Sequence, residues 1–186
     1  GLYLRGDYSG SAAAFDGTVL STTTLKIAGS RGVGELTVIS GTSLAAVATA
    51  VNNLTALTGV EAELIDATTP ASGLVFRSVD YGTSNFVSVQ RLGGPTDSSN
   101  YFQTYKFGDS ASLPTFEGVT TTWAALLAGG LISTADRDQG RDVSALVNGT
   151  LASGDGLLLS INSPSLSLQM ELAEDFAITP TTTPTD

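Results

Sequence analysis

Leu44, Val47, Ala48, Val51 and Leu54 recur at i, i+3, i+4, i+7 and i+10, the spacing that lines one side of an α-helix with apolar groups. Thr42 or Ser43 stands where an N-cap hydroxyl is wanted and Gly59 where a left-handed C-terminal residue is wanted, so the pattern predicts a helix over about 43–57. Before it the period changes to two. Leu25 and Ile27 alternate with Lys26, and after the glycines of 29–34, Leu36 and Val38 alternate with Glu35 and Thr37, which predicts an antiparallel pair with one wet face. After it Val60, Ala62 and Leu64 alternate with Glu61 and Glu63. Leu74 and Phe76 alternate with Val75 and Arg77, and residues 86–90 alternate again, with turn chemistry at 70–73 and 81–85. One helix lying on one face of such a sheet buries two apolar surfaces that neither element covers alone.

The rest of the chain is punctuated in the same way. Residues 93–117 open on Gly93-Gly94-Pro95 and Asp97-Ser98-Ser99-Asn100, yet hold Tyr101, Phe102, Tyr105, Phe107 and Phe116, too many aromatics for a solvated linker. They are expected to fill a seam between two lobes. Trp123 to Ala128, behind Thr120–Thr122 and ahead of Gly129-Gly130, predicts a short second helix over about 122–128. Val143 to Val147, Asn148-Gly149 and Thr150 to Ala152 predict a hairpin with a type I′ turn, because that dipeptide tolerates positive φ. Residues 157–161 and the alternating Leu166, Leu168, Met170 and Leu172 predict a second strand pair, broken at Ser163-Pro164. The expected fold is α+β: mainly antiparallel β-sheets, with one principal amphipathic helix packed on a sheet face. The expected segments are lead-in strands 1–24, a ββαβββ unit 25–92, an aromatic-rich connection 93–135, a second β-rich unit 136–178 and an extended or mobile tail 179–186.

Composition narrows the chemistry. The 186 residues carry 21 glycines and a formal charge of −10, with only 14% charged residues, and the eight Lys and Arg form no patch. Nucleic acid and anionic membrane are therefore poor partners, and no apolar run approaches the roughly 20 residues of a membrane span. No cysteine is present, so disulfides, thiolate zinc sites and thiol nucleophiles are excluded. No histidine is present either, which removes the usual general base near neutral pH and the commonest metal ligand.

Each remaining candidate has a plain structural reading beside it. Asp136, Asp138 and Asp142 have the alternate-residue spacing of a calcium loop, but the sixth-position glycine and distal glutamate of the full loop are missing, and Arg137 and Arg141 offset the charge. A solvated turn explains them as well. Glu61 and Glu63 resemble a glycosidase pair only in being two acids; at i and i+2 they form the wet side of a strand. Gly29, Gly32 and Gly34 reverse the spacing of the dinucleotide fingerprint and no helix opens after them, so they read as a hairpin turn. Lys26 and Lys106 activate a serine only if desolvated, and Lys26 faces water. Asn53-Leu54-Thr55 and Asn148-Gly149-Thr150 fit the N-glycosylation pattern, within a helix and a tight turn respectively. The expected catalytic, cofactor-binding and metal-ligating residues are none.

The run LKIAGSRGVGELTVISGTSLAAVATAVNNLTALTGVEAELID and the later GLVFRSVDYGTSNFVSV carry a family likeness. Ser43, Leu44, Val47, Val51 and Asn52, then Thr58, Gly59, Val60 and Ala62, then Ser78 and Gly82 fit the pattern of the flagellin IN motif, which this half of the chain resembles. The piece GRDVSALVNGTLASGDGLLLSINSPSLSLQMEL is similar, more loosely, to the segment that follows the motif in large flagellin insertions. The long heptad helices that build a filament core are not in these 186 residues. The resemblance therefore implies a structural, solvent-facing outer domain of a bacterial flagellin or flagellin-like protein. It would be exported, shown outside the cell on the flagellum, joined to further copies through core helices and open to surface glycans. Alternatives are the outer domain of a hook-associated or filament-cap protein and, from another class, a carbohydrate-binding adhesin module.

Overall fold

The computed structural model describes residues 1–6, 14–15, 17–94, 102–108, 123–164 and 166–173. The readings placed on Tyr101, Phe116, the caps 120–122, the turn 97–100 and the tail 179–186 lie outside these residues. The backbone gathers into two units, Gly1–Val79 with Phe86–Asp138, and Asp80–Asn85 with Gln139–Asp186.

The first unit runs β1 (Leu2–Leu4), β2 (Ala14–Phe15), β3 (Thr18–Val19), β4 (Thr23–Gly29), β5 (Gly32–Val38), α1 (Leu44–Asn52), α2 (Thr55–Thr58), β6 (Val60–Leu64), β7 (Leu74–Ser78), β8 (Phe86–Gly93), β9 (Thr104–Phe107), α3 (Trp123–Ala128), β10 (Ile132–Thr134) and all but the last residue of β11 (Arg137–Gln139). Two larger sheets form, in the orders β10-β9-β1-β7-β6 and β11-β8-β4-β5, beside the short pair β2-β3. Strand β8 pairs with β4, whereas β7 pairs with β1 and β6. The strands that sequence reading placed on one ribbon are thus divided between two sheets. The apolar core collects Leu25 and Ile27 of β4, Val87 and Val89 of β8, Leu2 and Leu4 of β1, Leu74 and Phe76 of β7, and Val60 and Ala62 of β6. Leu44, Val47, Ala48 and Val51 of α1 complete it, the apolar stripe as expected.

The alternation expected on β7 fails at Val75, which is buried with Leu74 and Phe76. The reason is a second covered face. Val75 lies opposite Tyr3, and Tyr3 opposite Tyr105; Tyr3 and Tyr105 pack with Trp123, Leu126, Phe107 and Ile132. Tyr105 and Phe107 therefore fill a cluster inside this unit, and Phe102 joins its main core, in place of the seam between lobes expected for them. The rings of Tyr3 and Phe107 meet edge to face at 4.9 Å, and Trp123 Nε1 donates to the Ser72 carbonyl at 2.8 Å.

The principal helix is also shorter than its period suggested. Ser43 caps it, its hydroxyl accepting from Ala46 N at 3.3 Å, and Gly59 closes it at φ 73°. Between them the turn tightens at Leu54, whose N–H reaches back to Val51 O at 2.8 Å, and the helix breaks into α1 and α2. Asn52, Asn53 and Thr55 are weak helix formers, and a 3₁₀-type turn is the usual way such an end closes.

In the second unit β14 (Ser153–Asp155), β15 (Leu158–Ser163) and β16 (Leu166–Glu171) form an antiparallel sheet, preceded by the hairpin β12 (Leu146–Val147) and β13 (Thr150–Leu151). Asn148 at φ 50° and Gly149 at φ 80° supply its turn, as the dipeptide predicts. The strand expected from Val143 narrows to β12 because the preceding backbone bonds elsewhere: Val143 N–H donates to Gly156 O, and Ala145 O accepts from Ala152 N–H. A small core of Ala152, Leu159 and Ile161 results, flanked by Val143, Ala145, Val147, Leu166 and Leu172.

Candidate functional site

Edge strand β6 carries an organised set of polar contacts. An edge strand presents N–H and C=O groups with no neighbouring strand. On β6 they are taken by side chains from the two helices. Asn52 uses its whole amide, Nδ2 donating to Ala62 O at 2.9 Å and Oδ1 accepting from Ala62 N–H at 2.8 Å. Thr55 Oγ1 donates to Val60 O at 2.8 Å, and Thr58 Oγ1 accepts from Val60 N–H at 3.1 Å. The helix end thus mimics a further strand. Sequence reading placed Asn52 and Thr58 in a motif without giving them this task, since nothing local reveals which backbone an amide will meet.

The glycines of the β4–β5 hairpin set the same seam. Gly29 pairs with Gly32 across the turn, and a side-chain carbon on Gly29 would run into the Thr58 carbonyl and approach Val60. At Gly34 it would meet the flexible end of Leu54 at 3.2 Å. The hairpin reading holds, and the absence of side chains is what lets the hairpin lie against α2.

The three spaced aspartates go to separate partners. Asp136 accepts from Gln90 Nε2 at 3.0 Å and Asp138 from the Gly1 nitrogen at 2.6 Å, both in the first unit. Asp142, in the second, accepts from Thr83 N–H at 2.9 Å, Thr83 Oγ1 at 2.7 Å and Gly156 N–H at 2.9 Å. Among the described residues no three acidic groups converge as a metal site would require. Asp142 is instead a staple between the 80–85 loop and the turn at Gly156, and the Gly156 and Thr83 donors hold its carboxyl below the usual range. Asp66, likewise, is held low by the Thr68 hydroxyl and N–H. Burial pushes the Tyr3 phenol up.

Glu61 and Glu63 are exposed on β6, and Glu63 forms an ion pair with Arg77 of β7. Lys26 is half-exposed opposite Glu35 and Gln90, and Lys106 is exposed. Asn53 follows the last residue of α1, and Asn148 sits at its tight turn. A groove of about 450 Å³ opens beside β8 and β9, with Phe102, Gln103 and Thr134 in its lining. Two of its polar groups are tied to backbone: Thr104 Oγ1 donates to Ala135 O, and an Arg91 nitrogen to Gly94 O at 3.4 Å. Thr104 and Arg91 thus hold backbone together. Among the described residues no helix is long and apolar enough to cross a membrane.

Residues 24–80 match the family model of the flagellin hook IN motif. No curated protein and no solved structure matches the chain.

Proposed function

We propose that this chain, which carries a flagellin hook IN motif over residues 24–80, is a solvent-facing outer domain of a bacterial flagellin or flagellin-like filament protein. The observation that carries the reading is the motif itself, together with the work its polar residues do. Asn52 and Thr58 close the free edge of β6, while Leu44, Val47 and Val51 are fully buried. Each is spent on a self-contained building block. The function is then mechanical: a stable module on the outside of the flagellum, held to other copies through core helices and contributing surface to a filament used for motility.

Immunogold labelling of intact flagellated cells with antibodies raised against this chain tests the reading. Gold along the whole filament is the expected result. Labelling confined to the tip or to the hook junction would move the chain to a cap or hook-associated protein, and labelling of the cell body alone would overturn the flagellar reading.

A further inference from the structure

Strands β6 and β16 end their sheets differently. The free edge of β6 is covered by Asn52, Thr55 and Thr58, but β16 ends the order β14-β15-β16 with no strand beyond it among the described residues. Nor does β16 carry the usual defences. Its sequence, Leu-Ser-Leu-Gln-Met-Glu, has no lysine, no proline and one charge, at Glu171. Leu168 lies opposite Ile161 and Met170 opposite Leu159, on the face that forms the core. Yet Leu168 and Met170 remain 36% and 40% exposed. The apolar face of the sheet therefore runs past its last covered strand.

We infer that β16 is a pairing edge for a second copy of this chain, the two strands running antiparallel about a twofold axis at Leu168. Register and hydrogen bonding both fit that axis, and the wider separation it gives the two Glu171 carboxylates favours it over an axis at Gln169. Leu172 N–H donates to Leu157 O at 2.9 Å. Bonded positions alternate along an antiparallel pair, so Leu168 and Met170 turn their backbone groups toward β15, and Ser167 and Gln169 turn theirs outward. With the axis at Leu168, Ser167 of one copy faces Gln169 of the other, and both have outward groups to exchange. The side chains agree. Leu168 meets Leu168, Leu166 meets Met170, and the two half-covered apolar faces join into one. Charge agrees as well, since the two Glu171 carboxylates fall six residues apart, about 20 Å along the ladder. An axis shifted by half a residue would set Leu168 against Gln169 and bring apolar and polar positions into conflict. Contacts related by a twofold need only one self-complementary patch.

The chain has no cysteine, so single cysteines read the register directly. Leu168→Cys places two thiols at a non-bonded pair with Cα atoms about 4.5 Å apart, within disulfide range. Leu166→Cys places them about 13 Å apart. The expected result is a disulfide dimer from Leu168→Cys under mild oxidation and none from Leu166→Cys, with a larger yield at high salt as the repulsion between two acidic chains is screened. Adding Gln169→Pro, which removes an outward N–H and leaves the bonds to β15, should abolish the cross-link while the melting curve is retained. Equal cross-linking at both positions, or none at Leu168→Cys, would overturn the pairing. So would a cross-link that appears only after residues 174–186 are deleted, which would mean that the chain's own end occupies the edge.

Discussion

Asn52 and Ala62 are joined by two hydrogen bonds that close a ring, the side-chain amide giving one proton to the Ala62 carbonyl and receiving another from its N–H. An asparagine side chain has the donor and acceptor of a peptide group, so this one stands where the next strand's backbone would. Aspartate keeps the acceptor but turns a second oxygen toward the carbonyl. Asn52→Ala is expected to lower stability by about 1–3 kcal/mol, the range for leaving partly buried groups unpaired. Asn52→Asp should match or exceed that loss near neutral pH. Urea denaturation of the two variants measures both, and a wild-type midpoint for either would remove Asn52 from the account.

The burial of Val51 and Leu44 gives a sharper test. Both have no exposed surface. Leu44→Ala should cost about 2–5 kcal/mol through lost contacts and a residual cavity. Val51→Asp should unfold the first unit, because an unpaired carboxylate has no partner in that core. Far-UV circular dichroism with thermal melting follows both, and a native melt for Val51→Asp would refute the helix packing.

Gly29 and Gly34 should separate under the same substitution. An added methyl at Gly29 faces the fixed Thr58 carbonyl, whereas at Gly34 it faces a Leu54 methyl that can move. Overpacking against backbone typically destabilises by about 1–3 kcal/mol. Gly29→Ala is expected to fall in that range and Gly34→Ala well below it, compared by midpoint in guanidinium titrations.

Asp142 predicts an acid-sensitive second unit. Its carboxyl is held below the usual range by the Gly156 and Thr83 donors. A depressed folded value means the ionised carboxylate stabilises the fold at pH above the unfolded carboxyl value, about 3.9, and this contribution is lost as pH falls through the folded value. Asp66, depressed by Thr68 and Thr69, gives the first unit its own loss in the same window. Asp142→Asn should lower the melting temperature at neutral pH and flatten its decline below about pH 4. A parallel decline in wild type and variant would show that the staple does not carry the effect.

Trp123 is the chain's one tryptophan and is 1% exposed. Its emission should be blue-shifted in the native state and move to the red as the first unit unfolds. Trp123→Phe leaves the Ser72 carbonyl without its 2.8 Å donor and should cost about 1–3 kcal/mol, read from circular dichroism melts.

How far the sequence could be read follows from where each constraint lies. The stripe Leu44, Val47, Ala48 and Val51, the Ser43 cap, the Gly59 stop and the Asn148-Gly149 turn are properties of neighbours along the chain, and local backbone geometry enforces them. Period alone specifies which side of an element is apolar. It cannot say which sheet receives that side. The division of β7 and β8 between two sheets, the second covered face that buries Val75, and the aromatic cluster of Tyr3, Tyr105 and Trp123 depend on pairings between residues far apart in sequence. The Asn52 bond to Ala62 and the Asp142 staple belong to the same class. A polar side chain has many candidate partners in an extended chain, and only the folded backbone brings one of them within about 3 Å at a usable angle. Apolar periodicity by itself thus determined the elements and their inward faces, while tertiary packing alone decided which polar groups close the edges those elements leave open.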